Sequence, residues 1–288
     1  MGRLALGTVQ FGMQYGVANR SGQVSENQAK SMLGLALKNK IDMLDTAITY
    51  GDSESCLGKV GTKGFSLVTK LPQIPNSCHN LKEWVYQQVN TSLSRMGVKK
   101  IYGLLLHRSV DLTGSYKGQL FRSLCDLKND GIVEKIGLSI YSPVELDTLV
   151  PHYDFDLIQA PLNLVDRRIL TTSWLSRLKD EGIEVHTRST FLQGLLLLDQ
   201  AEIPKKFMTW SALWREWDFW LKIHDISALE ACLAFTLQCQ DVDRVLVGAD
   251  GLGHLVEILN ASKSSLTSFP NISCDDERLI NPAGWINL

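Results

Sequence analysis

A chain of 288 residues, 44% apolar and 21% charged, can form one large domain or two small ones and buries a sizeable core either way. Its net charge of −2 gives no electrostatic footprint for nucleic acid or an anionic membrane, and no apolar run approaches the ~20 residues that a membrane span needs. The opening MGRLALGTVQFG is broken too early by glycine for a signal peptide, and Leu6 stands where myristoylation wants Ser or Thr. Cysteines 56, 78, 125, 232, 239 and 274 lack metal-ligand spacing. They read as reduced thiols of a cytoplasmic protein, although an even count leaves a disulfide open.

Taken in order, strand and helix patterns alternate. RLALGT is the first strand, and Ser25-Glu26 opens an amphipathic helix with Met32, Leu33, Leu35 and Ala36 at helical spacing. The second strand ends in the stretch IDMLDTAITYG, Ile41 to Gly51, followed by a short helix near 54–60. FSLVTK is the third strand, and the helix over 81–96 carries Trp84, Val85, Val89 and Leu93 on one face. IYGLLLH is the fourth, and its helix, about 119–129, stops at Asp130-Gly131. EKIGLS, a short helix over 143–149, FDLIQA, a helix ending at Glu181-Gly182 and IEVHTRS follow. A helix around 228–238 leads to DRVLVG and a last helix near 253–263.

Eight strands with a helical pattern after each allow a closed barrel or an open doubly wound sheet. Eight units in one chain of this length fit the (β/α)8 barrel, typically ~250 residues. No linker or low-complexity block divides the chain, so the expectation is an α/β fold, a (β/α)8 TIM barrel, as a single domain over 1–288. In such a barrel the strand tips open onto one mouth. Asp45, Lys70 and His107 end the second, third and fourth strands, with Tyr50 on the loop after Asp45. Singly, Asp45 can cap a turn, Tyr50 can pack in a loop, Lys70 can be solvated at a strand end, and His107 can be a buried, hydrogen-bonded histidine. Converging on one mouth, they define a site.

LGTVQFG, DTAITYG, VTK and LLLH, in that order and spacing, resemble the aldo-keto reductase superfamily. The resemblance runs over essentially the whole chain through GLS (137–139), IQAPLNLVDRR (158–168), RSTFLQGLL (188–196) and VGADGLGHLVEI (247–258). It implies a (β/α)8 oxidoreductase that binds a nicotinamide cofactor without a Rossmann motif or a metal; no G-x-G-x-x-G follows a strand here. Position by position it makes Asp45, Tyr50, Lys70 and His107 the catalytic set. It implies cofactor binding by Gly7, Thr8, Asp45, Ser139, Gln159, Arg188, Ser189, Phe191, Gln193, Gly194, Gly248, Ala249, His254 and Glu257.

The chemistry explains the grouping. Carbonyl reduction needs hydride at carbon and a proton at the developing alkoxide. A free tyrosine, with a pKa of ~10, exchanges that proton poorly near neutrality. A lysine nearby is expected to lower the value, and a carboxylate to hold the lysine charged. Tyr50 is then the acid, Lys70 its tuner, Asp45 the lysine's partner and His107 the group that orients the carbonyl.

Departures from the family pattern lie elsewhere. Ile140 follows Ser139 where asparagine is usual, Arg188 replaces an aromatic that stacks on nicotinamide, and Ile258 replaces an asparagine. His254 stands where Arg or Gln is common, and no Lys or Arg lies between Val247 and Ile258 to clamp a 2′-phosphate. The family implies NADP(H); the missing cation, with Asp250 nearby, leaves NAD(H) open, and use of both is expected.

The expected activity is NAD(P)-dependent reduction, or the reverse oxidation, of a small polar carbonyl, a sugar or sugar derivative, with a small-molecule substrate and neither nucleic acid nor membrane as partner. The alternative is a non-catalytic nicotinamide-binding regulatory subunit on the same barrel. The tryptophan-rich stretch 207–220 is expected to pack against the barrel, with a lid as the alternative. Trp285 belongs to a tail that either approaches the mouth or simply packs.

Overall fold

The computed structural model describes residues 2–288. Eight parallel strands close into one barrel in sequence order: β1 (Leu4–Gly7), β2 (Met43–Asp45), β3 (Ser66–Leu71), β4 (Ile101–Leu106), β5 (Val133–Ser139), β6 (Leu157–Pro161), β7 (Glu184–Arg188) and β8 (Arg244–Gly248). Closure is made by β1 against β8, with Gly7 opposite Gly248, while Gly7 also faces Asp45 of β2. The barrel is therefore the expected (β/α)8 fold, and the strand tips share one rim.

The outer layer is α1 (Glu26–Lys38), α2 (Ser53–Val60), α3 (Leu81–Met96), α4 (Lys117–Asn129), α5 (Val144–Leu149), α6 (Trp174–Asp180), α7 (Ser211–His224), α8 (Ala228–Gln238) and α9 (Leu252–Ala261), with single-turn helices in the loops. Local chemistry sets their ends. Ser25 accepts a hydrogen bond from the Gln28 amide at the start of α1, and Asn80 does the same for Glu83 at the start of α3. Ser227 and Glu230 form a reciprocal capping box on α8. Gly97 closes α3 in the left-handed conformation.

Between barrel and helices lies the main core, where Met32, Leu33, Val85, Val89 and Leu93 bury the stripes read from the sequence. A separate small cluster of Ala5, Met43, Val68, Leu105, Leu157 and Leu246 fills the bore. Burying these apolar groups, at about 25 cal/mol per Å², is the main drive for closing the barrel.

Below that plug, at the N-terminal ends of the strands, is a polar cluster. Tyr102 and Lys135 both donate to Glu184 Oε2, and His186 Nε2 lies 2.6 Å from Glu184 Oε1. Burial works against the Glu184 carboxylate, but the bonds from His186, Lys135 and Tyr102 outweigh it and hold its pKa at about 2.

The tryptophan-rich stretch packs rather than covering the site. Trp214 and Trp217 are buried on α7 and donate to Phe207 O at 2.9 Å and Leu196 O at 3.1 Å. None of residues 207–220 lines the cleft described below. The tail does both things expected of it. Trp285 packs against Phe207, while Pro282 and Ala283 reach the cleft wall. All six cysteines are free thiols. Among the described residues, no helix is long and apolar enough to cross a membrane.

Candidate active site

The strand tips line a cleft of about 430 Å³ at the C-terminal mouth. At its floor Asp45 ends β2, and its carboxylate is held from two sides. Lys70 Nζ donates to Oδ1 at 2.5 Å and Gln159 Nε2 to Oδ2 at 2.7 Å. Lys70 donates also to Thr46 O at 2.8 Å, and Ser139 Oγ donates to Gln159 Oε1 at 3.1 Å. One chain of bonds therefore links the tips of β2, β3, β5 and β6. The Lys70 side chain is only 1% exposed. Desolvation lowers its pKa, and the adjacent Asp45 opposes that shift.

Tyr50 is delivered by a loop that is pinned where two backbones meet. Gly12 and Gly51 pack against each other so closely that a Cβ on either would overlap the other loop, and Gly51 has a φ of 53°. Ser53 Oγ ties the same region down by donating to Thr8 O at 2.7 Å and lying 3.1 Å from Thr46 Oγ1. Lys70 Nζ lies 5.2 Å from the centre of the Tyr50 ring, and the His107 ring meets it edge-on at 5.9 Å.

Burial, with Asp45 adding and Arg188 opposing, holds the Tyr50 phenol above its ordinary pKa. This corrects the expected lowering of the tyrosine by Lys70. Burial of the phenol, reinforced by the Asp45 charge, decides the direction. His107 is pushed down to about 3, first by burial and then by the charges of Lys70, Arg188 and Arg108. Its imidazole is neutral near pH 7, with Nδ1 3.4 Å from Thr49 Oγ1. When Nδ1 accepts from Thr49, Nε2–H is a donor.

Arg188 lies at the tip of β7, on the cleft as expected. Its guanidinium donates to Ile140 O at 2.7 Å and to Ser189 Oγ at 3.2 Å, and it stacks on Tyr141 with 4.6 Å to the ring centre. No carboxylate among the described residues pairs with it. The loop that follows is strained. Ser189, Leu192 and Gln193 all adopt positive φ, at 63°, 48° and 53°. Such residues persist only where the surroundings hold them, each at ~1–3 kcal/mol, and they cluster at ligand sites. Here Asn163 donates to Ser189 O, Thr190 donates to Leu246 O, and the Val17 amide donates to Gln193 O.

Of the expected cofactor residues, Gly7, Thr8, Asp45, Ser139, Gln159, Arg188, Ser189, Phe191, Gln193, Gly194, Gly248 and His254 all line the cleft. Ala249 is buried in the core behind it and Glu257 is exposed further along α9; neither lines the cleft. The cleft also gathers Gln10, Tyr15, Tyr141 and Asp250. Of these, Asp250 was legible only as a charge near the missing cation and Gln10 only as a member of the LGTVQFG stretch, while Tyr15 and Tyr141 gave no signal beyond lying in loops after β1 and β5.

A barrel whose mouth holds a lysine–carboxylate pair beside a buried tyrosine and a neutral histidine fits carbonyl chemistry, and the comparisons with known proteins agree. The aldo/keto reductase family model matches residues 3–272, so the chain belongs to that family. Over 217 residues it is 26% identical to oxidoreductase sirO of Leptosphaeria maculans, covering 72% of this chain and 65% of that protein's length. Among solved structures, aldo-keto reductase AKR11C1 from Bacillus halodurans shares the fold with a TM-score of 0.73 at 20% identity, covering 92% of this chain and 88% of that one. Glycerol dehydrogenase AKR11B4 from Gluconobacter oxydans does so with a TM-score of 0.70 at 22% identity, covering 93% and 88%. At these identities the likeness concerns the fold.

Proposed function

We propose that this enzyme interconverts a small polar carbonyl, of the sugar or sugar-derivative type, and its alcohol, with Tyr50 as general acid and base. The observation that carries the proposal is the floor of the cleft. There a buried Lys70–Asp45 pair, locked by Gln159, stands beside a neutral phenol and a neutral imidazole.

The cleft residues suit a nicotinamide cofactor. Ser139 and Gln159 present a paired hydroxyl and amide of the kind that recognises a carboxamide. When bound, NAD(H) or NADP(H) supplies or takes up the hydride. Ser139, Gln159 and Arg188 would hold its nicotinamide half, and the strained Ser189–Gly194 loop its phosphates.

The protein's own part is proton handling and orientation. His107 Nε2–H and Tyr50 O–H both donate to a carbonyl oxygen, which polarises it and fixes its position. Tyr50, protonated across the neutral range, gives up its proton as negative charge develops on that oxygen. Lys70 stabilises the phenolate so formed, and Asp45 keeps the lysine charged and in place. The hydroxyls of Tyr15 and Tyr141 and the remaining N–H groups of Arg188 give the cleft wall the hydrogen-bonding character that a polyhydroxylated substrate needs. Glycerol, the substrate in the Gluconobacter enzyme's name, is of that kind.

The test is turnover of a panel of hydroxyaldehydes, aldoses and simple aldehydes, followed by oxidation of added NADH or NADPH. Steady turnover that favours polyhydroxylated members is the expected result. Cofactor binding without turnover of any member would replace the proposal with a non-catalytic, nicotinamide-sensing role.

A further inference from the structure

We infer that Arg188 anchors a carboxylate on the substrate, so that the carbonyl compound this enzyme takes is a sugar acid rather than a neutral sugar. The inference rests on the proposed carbonyl activity and narrows its substrate class.

A cation taken part-way out of water is costly to hold unless something answers its charge. Arg188 is half-buried on the cleft wall, and no carboxylate among the described residues lies within ion-pair distance of it. The acids of the cleft are engaged elsewhere. Asp45 pairs with Lys70 at 2.5 Å, and Asp250, beyond β8, accepts from Gln10 Nε2 at 3.4 Å. Two other half-buried arginines, Arg3 and Arg167, also lack a carboxylate, and they show what a structural arginine does in this protein. Arg3 donates to the carbonyls of Leu237, Cys239 and Val242, and Arg167 to those of Leu164 and Pro270. Neither lines the cleft. Arg188 gives one bond to a carbonyl, Ile140 O at 2.7 Å, and one to the hydroxyl of its neighbour Ser189. A guanidinium has five N–H donors, so three remain.

Those donors belong to the reaction centre. Arg188 shares the cleft with Tyr50, Tyr15 and His107. Burial raises both phenols and the Arg188 charge opposes it, while burial and Lys70 push His107 down and Arg188 adds to them. The fork is also fixed in advance. Tyr141 covers the guanidinium with its ring centre 4.6 Å away, and Asn163 donates to Ser189 O to hold the strained residue that follows. A nicotinamide can lie against this group but cannot answer its charge, being neutral when reduced and positive when oxidised. The cofactor's phosphates are separated from that ring by a ribose, so a cation beside the proton donor is one for the substrate to meet. A carboxylate is the complementary anion: it is planar, accepts two parallel N–H donors, and its single charge matches the single one left unanswered. A phosphate dianion would bring excess negative charge into a cleft that already holds Asp250. The hydroxyls of Tyr15 and Tyr141 remain for the substrate's own hydroxyls.

The experiment is steady-state turnover by the intact protein of carbonyl pairs that differ in a carboxylate: glyoxylate against glycolaldehyde, and glucuronate against glucose. Glycolaldehyde phosphate serves as the phosphate control. In the wild-type protein kcat/KM is expected to be at least about tenfold higher for the acid of each pair, mainly through KM. Arg188→Gln is expected to cut that acid-to-neutral ratio at least about tenfold, and Arg188→Lys, which keeps the charge but loses the fork, to cut it by less. The ratio cancels whatever Arg188 contributes to holding the cofactor. Equal use of acid and neutral members by the wild type would overturn the inference and leave the carbonyl activity intact. So would a ratio that neither variant changes, with melting temperature showing both to be folded, or a stronger preference for the phosphate than for either acid. No turnover of any member would overturn the underlying activity and the inference with it.

Discussion

At the mouth of the bore Lys70 is bonded to Asp45, with Tyr50 and His107 alongside; at its base Lys135 is bonded to Glu184, with Tyr102 and His186 alongside. The residue types match almost one for one, yet the two clusters differ in how their groups are spent. At the base both Tyr102 and Lys135 donate to the same carboxylate. Burial and that bond raise the Tyr102 phenol to about 12. Burial opposes the Lys135 charge, but its bonds to Glu184 and Tyr102 outweigh this and hold it above the ordinary lysine value. At the mouth, Asp45 is saturated by Lys70 and Gln159. Among the described residues, the Tyr50 hydroxyl makes no hydrogen bond, and it faces a cleft. A lysine–carboxylate pair inside a barrel, buried at the mouth and half-buried at the base, is therefore no signature of catalysis in itself. What sets the mouth apart is a phenol left free of the pair and lining a cleft.

The contrast can be broken by removing the lysine at either end. Lys70→Met should cut turnover by ~10²-fold or more, because the phenolate loses its counter-charge. It should also destabilise the fold by ~3–5 kcal/mol, since Asp45 is left as an uncompensated buried charge. Both are measured on one preparation, by steady-state kinetics and urea unfolding. Wild-type turnover in a folded Lys70→Met protein would remove the lysine from the mechanism.

At the base, Glu184→Gln should destabilise by ~3 kcal/mol as Lys135 loses its partner, while turnover at saturating substrate changes less than twofold. A loss of turnover with unchanged stability would mean the base cluster communicates with the cleft.

A smaller effect is set by pH. His107, held near 3 in the folded state, stays neutral where an ordinary histidine titrates at about 6.5. The unfolded chain takes up a proton there that the folded chain refuses. Stability from this residue is thus fully present above 6.5 and is lost progressively as pH falls toward 3. Glu184, depressed to about 2, contributes stability that is present above its ordinary 4.5 and is lost as pH falls through 2. The reduction rate should then show no histidine inflection between pH 5 and 8. An inflection near 6.5 that disappears in His107→Gln would show that the imidazole is protonated during turnover.

Much of this was legible in the sequence where function sits at strand ends. Asp45, Lys70 and His107 each terminate a recognisable apolar run, and a barrel has only one place to put such tips. The polar base was not read from the chain: Glu184 and His186 lie two residues apart near the start of β7, while Arg188 at its end belongs to the mouth. What was not legible depends on the path of loops. Tyr15 reaches the cleft beside the point where the Val17 amide donates to Gln193 O, Tyr141 lies there under the Arg188 guanidinium, and Gln10 packs against Gly248; no local pattern encodes those long-range contacts. The direction of the Tyr50 shift was missed for a similar reason. Charge types can be read from the chain, but the desolvation that outweighs them is a property of the closed site.

The claim that the free phenol at the mouth is the proton donor is tested most directly by paired substitution of the two tyrosines, with kcat and cofactor Kd measured for each. Tyr50→Phe should lower kcat by ~10²-fold or more with cofactor Kd within about twofold of wild type, while Tyr102→Phe leaves both within about twofold. Near-wild-type kcat in Tyr50→Phe, or an equal loss in the two variants, would contradict the account.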